Sequence, residues 1–349
     1  MTELSSRASN AVGLATVTCL LVDLYTSLNQ SERAVAVSLN YLRHLGLEWS
    51  PHPTAEEAQR EYERIWAQLG SRAIEDLVEL PLMSNPASLA TLDVLTKVLP
   101  AALFTNPNFL SLAICRAVNL SLEHGNSDGS CVAYVWFGAI CGPHFGNYKA
   151  GFRFGRLGYE LVEQCGLKRF QARSYLWFGQ LVMPWTKHVQ ACRDLIRRAF
   201  EAANKVGDLT VAAYSCGALN TNLLAAGDPL PDVQSEAEHG LVFARKARFG
   251  IVIDIITAQL GLIRTLRGLT QKFGSFDDGQ FDELQFESHL ASDSVLALPE
   301  CWYWIRKLQA RFFTGDYTSA VDSAMRARQL LWTSPSLFDT AEYHFYTEL

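Results

Sequence analysis

Apolar positions recur along this chain at the three- and four-residue spacing of a helix, and no sustained two-residue alternation bounded by hairpin turns occurs anywhere. Thr54 with Glu57 three residues on forms a capping box just after the breaker SPHP (50–53). The segment EEAQREYERIWAQLG then carries Tyr62, Ile65, Trp66 and Leu69 on one stripe. Asn85-Pro86 and Asn106-Pro107 each set a capping side chain before a first-turn proline. Near the start, AVGLATVTCLLV (11–22) carries no charge. It is too short to span a bilayer, and Asp23 follows without a small-residue cleavage site, so it predicts a buried helix.

The pattern also repeats itself. Tyr134-Val-Trp136-Phe137-Gly138 returns as Tyr175-Leu-Trp177-Phe178-Gly179, a spacing of 41 residues. Gly146-Asn-Tyr148-Lys-Ala-Gly151 matches Gly315-Asp-Tyr317-Thr-Ser-Ala320, and the small residues Gly151, Gly155 and Gly158 correspond to Ala320, Ala324 and Ala327. Positions i, i+4 and i+7 share a helix face, so these small side chains predict close approach of a neighbouring helix. The earlier Ala34, Ser38 and Tyr41 keep part of the same rhythm.

The stretch SLEHGNSDGSCVAYVWFG (121–138) has the look of an active-site loop, with a Glu-His pair, a Gly-Asn-Ser-Asp-Gly turn and a cysteine. It follows the same stop-and-start grammar as Gly207-Asp208 and Gly227-Asp228, in which a glycine ends one helix and a neighbouring polar residue caps the next. It is read as a bend. The units, roughly 40 residues long, exceed the 34-residue tetratricopeptide repeat but share its logic, since a lone helix pair cannot bury its apolar face.

The expected layout is one repeat array over 1–349. It comprises a first hairpin region (1–50), divergent helices (51–128), regular repeats (129–267), a long loop (268–290) and last repeats (291–349) whose ends look unfinished. The expected fold is all-α, a right-handed superhelix of stacked helical hairpins, a TPR-like α-solenoid.

Composition narrows the function classes. Of 349 residues, 49% are hydrophobic and 19% charged, which allows a substantial core and argues against global disorder. A net charge of −6 argues against nucleic acid or an anionic membrane as partner. Eight scattered cysteines without a CxxC pair read as buried free thiols in a reducing cytoplasm.

No phosphate-cradling GxxxxGK[ST] is present, and GFRFGRLG (151–158) does not match GxGxxG; kinase motifs of the HRD and DFG type are absent as well. His124, Cys131, Cys141 and His144 cluster without the two close ligand pairs of a structural zinc site, and Asp277-Asp278-Gly279 lacks calcium-loop spacing. No histidine stands in a recognisable nucleophile context. The reading is therefore no catalytic residue, no cofactor and no metal.

What remains is a candidate partner-binding face. Asn119, Asn220 and Asn222 are polar on apolar helices, so they either bond across helices or line a groove. Lys149, Arg153 and Arg156 belong to a series of basic residues with Arg197 and Arg198, Arg245, Lys246 and Arg248, and Arg306, Lys307 and Arg311. Solvated faces and salt bridges account for such residues, and a concave groove for an acidic segment is the functional alternative.

Six blocks carry a resemblance. They are WSPHPTAEEAQREYERIWAQLG (49–70), NLSLEHGNSDGSCVAYVWFG (119–138), GPHFGNYKAGFRFGRLG (142–158), RRAFEAANKVGDLTVAAYSC (197–216), ARKARFGIVIDIITAQLGLIRTLRGLT (244–270) and CWYWIRKLQARFFTGDY (301–317). Together they resemble the helical, tetratricopeptide-like region of large bacterial signalling proteins. Those proteins combine a serine/threonine-kinase-like domain, a STAND-type predicted ATPase, a GAF sensor and a histidine kinase. The resemblance implies a non-catalytic interaction and regulatory module of such a kinase or ATPase, acting on protein partners, with self-association through exposed apolar ends. The blocks match none of the catalytic domains, so no catalytic residue has a position to be carried onto, and a piece of a longer protein is expected. A stand-alone adaptor acting in trans, and an enzyme with a site between repeats, are the rival readings.

Overall fold

The computed structural model describes residues 11–28, 30–103 and 105–348. Among them every extended element is helical, and a lone parallel pairing of Leu82 with Asn126 is the nearest approach to a strand. Residues 1–10 of the expected first hairpin region and Leu349 of the expected last repeats lie outside the described residues.

The chain divides into two compact units, one ending at Ser174 and the other beginning at Tyr175. The first contains α1 (Ala11–Ser27), α2 (Ser31–His44), α3 (Ala55–Leu69), α4 (Pro86–Ala102), α5 (Pro107–His124), α6 (Asp128–Cys141) and α7 (Tyr148–Gln164). Helix α8 (Gln171–Trp177) holds the division. The second contains α9 (Arg193–Val206), α10 (Leu209–Ala226), α11 (Leu230–Ala247), α12 (Gly250–Leu266), α13 (Glu283–Leu290), α14 (Ala297–Thr314), α15 (Tyr317–Leu330) and α16 (Phe338–Glu348). Packing is mostly between sequence neighbours, with α1 on α2, α6 on α7, α9 on α10, α11 on α12 and α14 on α15. Several pairings skip an element, among them α3 on α5, α12 on α14, α2 on α4 and α1 on α4.

The helix starts follow local chemistry. Thr54 and Glu57 form the reciprocal capping box at α3, with Thr54 N–H donating to Glu57 Oε2 at 2.7 Å. Asn85 and Asn106 accept from first-turn amides ahead of α4 and α5. Asn147 and Asp316 do the same for α7 and α15, each after a left-handed glycine, Gly146 at φ 73° and Gly315 at φ 74°. Asp208 caps α10. Asp228, expected to cap in the same way, instead accepts both arms of the Arg193 guanidinium, and Pro229 takes the cap position of α11.

The small-residue stripe is where α6 and α7 meet. A Cβ on Gly138 would lie 2.7 Å from the Gly151 carbonyl oxygen and 2.9 Å from the Gly155 nitrogen, while one on Gly158 would lie 2.5 Å from the Cys131 oxygen. Only hydrogen fits. In the related motif, Gly179 faces Leu195 and Ile196 of α9, the next long helix, with an added Cβ 3.4 Å from Leu195. The two copies differ in backbone, because α8 runs into a π-helical turn over Phe178–Val182 where α6 stays regular.

Three expectations are revised. The charge-free segment 11–22 is buried on one face only, at Ala15, Thr18 and Val22, while Leu20 is exposed. The long loop narrows, since Glu283–Leu290 is helix α13 and only the stretch before it is irregular. That stretch is tied down at many points. Gly274 N–H donates to Thr265 Oγ1 at 2.8 Å, Lys307 Nζ donates to the Gly274 carbonyl at 2.9 Å, and Phe276 N–H donates to Glu283 Oε2 at 3.0 Å. Finally, the cysteines are all free, but Cys165 is exposed rather than buried.

Candidate functional site

The bend at 121–138 is a bend, and it is also pinned. Gly125 turns at φ 98°, and a side chain there would collide with the Pro81 carbonyl. Asn126 exchanges backbone hydrogen bonds with Pro81 and Met83, each at 2.8 Å, and its side chain donates to Leu77 O at 2.7 Å. Tyr134 Oη completes the set by donating to Asn126 Oδ1 at 3.2 Å. Sequence gave the turn but no sign of this tie, because residues 77–83 carry no pattern that pairs them with 126.

The three candidate asparagines are buried and spent on helix–helix bonds. Asn119 on α5 donates to the Glu61 carbonyl (2.9 Å) and carboxylate (2.7 Å) and accepts from Gln68 Nε2 at 2.8 Å, joining α5 to α3. Asn222 donates to Val189 O at 2.6 Å and accepts from Arg193 Nε. Asn220 donates to Gln259 Oε1 at 3.1 Å, while its own Oδ1 has no hydrogen-bond partner.

Of the three basic candidates on α7, Lys149 and Arg156 are exposed and Arg153 is half-buried. Arg153 grips Glu75 with both guanidinium arms, Nε at 2.7 Å, and this hydrogen bond holds the Glu75 carboxyl down at about 2. Arg156 pairs with Glu160 one turn on, at 2.7 Å. Lys149 is exposed beside them.

Sequence reasoning missed the two charges buried on α14. Arg306 and Lys307, grouped with the solvated basic residues, are 0% and 2% exposed. Arg306 donates to Asp339 and, at 2.7 Å, to Glu342 of α16; it also bonds Gln309 and approaches Thr221 of α10 at 3.5 Å. Gln259 donates to Thr221 and bonds Asn220, so one buried polar network runs through α10, α12, α14 and α16. Arg306 Nε is left without an acceptor among the described residues. Lys307 pairs with Glu283, and Tyr303 donates to Glu283 at 2.9 Å and to Glu287 at 2.6 Å. Burial lowers the Lys307 pKa against the opposing pull of Glu283. For Glu283 burial acts upward, but the Lys307 charge and several hydrogen bonds leave it lowered. The only signal in the sequence was their place: Trp302 to Ile305 precede them without a polar break, so no face of that helix is free of apolar neighbours.

A cavity of about 230 Å³ opens in the second unit between α11, α12 and the segment before α13. Leu241, Leu260 and Phe276 line it with Arg245, Arg264 and Asp278. Phe276 is buried against Gly261, whose Cβ would lie 2.5 Å from the ring, and Lys307 Nζ sits 4.6 Å from the ring centroid.

Burial pushes the Cys141, Cys192 and Cys301 thiols up to about 12, which disfavours the reactive thiolate. Among the described residues no group of three or more His, Cys, Asp or Glu converges as a metal would require. No described helix is long and apolar enough to cross a membrane.

No protein-family model matches the chain. A curated relative, hybrid signal transduction histidine kinase G of Dictyostelium discoideum, is 21% identical over 284 residues. That similarity covers 75% of this chain and 8% of the relative, so the chain spans a small fraction of the protein it matches.

Proposed function

We propose that this chain is a non-catalytic helical-repeat module that takes up a protein signal and passes it to kinase or ATPase domains of a larger signalling protein. The observation that carries the reading is where the polar side chains are spent. Asn119, Asn220, Gln259, Arg306 and Asp339 join helix to helix, which is architecture rather than reaction chemistry. The signalling context rests on the distant similarity to a histidine kinase of which the shared segment is 8%.

In this reading the helix pairs stack as a TPR-like, right-handed superhelix in the cytoplasm. A partner that alters the packing of one helix pair biases those stacked against it. The buried network through α10, α12, α14 and α16 supports such coupling, because helices locked by buried charges shift together or break bonds together. Partner domains act in cis, on the same polypeptide.

An antibody raised against the chain tests this on the native polypeptide. A band far above 38.9 kDa is the expected result. A band at 38.9 kDa replaces the reading with a separate adaptor acting in trans, and ATP binding by the purified chain overturns the non-catalytic assignment.

A further inference from the structure

We infer that the cavity between α11, α12 and the segment before α13 is a binding site for a small organic monocarboxylate with an apolar body. The volume, about 230 Å³, corresponds to roughly eight water molecules of liquid at about 30 Å³ each, room for a compact ring or short chain. Leu241, Leu260 and Phe276 are buried and give it an apolar wall. Phe281 adds a second aromatic ring from the segment side.

Charge selects the head group. Arg264 lines the cavity but is already neutralised, with Nη1 donating to Asp278 Oδ2 at 2.7 Å. Arg245, on the neighbouring helix α11, is exposed at the cavity, and its guanidinium makes no hydrogen bond or ion pair among the described residues. The lining therefore carries one uncompensated positive charge at the edge of an apolar wall. A guanidinium there matches a carboxylate with two parallel hydrogen bonds. Inorganic phosphate would satisfy Arg245 but leave the leucine and phenylalanine wall without a partner, so an apolar body is part of the specification.

The walls are held in place before a ligand arrives. Phe276 is fixed by Gly261 behind it, by the edge of Tyr303 at 5.8 Å between centroids and by Lys307. Asp278 is locked by Arg264 and by the amides of Gln280 and Phe281 at 3.0 and 2.9 Å. Such preorganisation lets a small ligand bind without ordering a loop. A carboxylate on Arg245 would also bridge α11 to the segment before α13, giving the module a metabolite input besides its protein partners. This goes beyond the module reading, which stands or falls on polypeptide size and nucleotide binding instead.

Ligand-observed NMR and calorimetry on the whole chain test it, with phenylacetate, indole-3-acetate and octanoate as probes and phenylacetamide and inorganic phosphate as controls. Saturable binding of at least one carboxylate is expected, with phenylacetamide and phosphate roughly tenfold weaker or worse. Arg245→Gln, which removes no internal bond, and Phe281→Ala should each weaken binding by roughly tenfold with the helical spectrum unchanged. No saturable binding by any of the three carboxylates overturns the inference. So does equal binding of phenylacetamide or phosphate, or full affinity in Arg245→Gln.

Discussion

The guanidinium of Arg306 and the carboxylate of Asp339 pair with both side chains sealed from solvent, at 0% and 1% exposure. Helix α16 buries little else, with Tyr343 as its other buried residue, so this contact and the Glu342 bonds from Arg306 and Gln309, with Tyr346 packed on Phe312, hold it on α14. A buried pair of this kind is costly to break from one side, because the abandoned charge stays in a low-dielectric site.

Arg306→Met should therefore destabilise the second unit by about 3–5 kcal/mol above neutral pH, read from urea unfolding, while removing an exposed charge such as Arg156 should cost within about 0.5 kcal/mol. Equal and small losses for both would mean that the buried pair contributes no more than surface charge does.

The same carboxylate makes stability depend on pH. Burial pushes the Asp339 pKa up to about 7, against the pull of Arg306 and with the help of Glu342. A group whose pKa is raised by folding stabilises the fold below its unfolded value and loses that contribution as pH climbs through the folded value. Through this group, stability should decline between about pH 4 and pH 7. Asp339→Asn cannot titrate, so subtracting its denaturation profile from that of the parent should isolate a falling curve in this window. A flat difference would place the carboxylate's pKa near its ordinary value.

Asn119→Ala removes the bonds to Glu61 and Gln68 that join α5 to α3. The expected loss is about 1–3 kcal/mol, with faster amide exchange along α3 as the local readout. Unchanged exchange in α3 would show that these bonds do not fasten the two helices.

Gly138→Ala should prise α6 from α7, since the new methyl would sit inside contact distance of three backbone atoms of the neighbour. Overpacking of this kind costs about 1–3 kcal/mol. Gly146→Ala is a different case, because no atom lies within 4 Å of the added Cβ and only the left-handed φ of 73° is strained. Thermal melts of the two variants separate crowding from backbone strain: only Gly138→Ala should loosen the α6–α7 contact, seen as increased exchange along α7.

The sequence by itself determined the helices and their ends. Capping at Thr54, Asn85 and Asn106 and left-handed turns at Gly207 and Gly227 depend on a few neighbouring residues, so they were legible without any neighbour in space. Close approach at Gly151 and Gly158 was legible too, because only an absent side chain permits it. The tertiary structure decided which polar residues face inward. Arg245 and Arg306 are alike in sequence terms, each basic on a helix, yet one stands exposed at a cavity and the other is sealed against α16. Their difference lies in partners such as Asp339, 33 residues further along the chain. Burial of a charge is decided by whether a distant opposite charge arrives to meet it, and helical periodicity carries no record of that meeting.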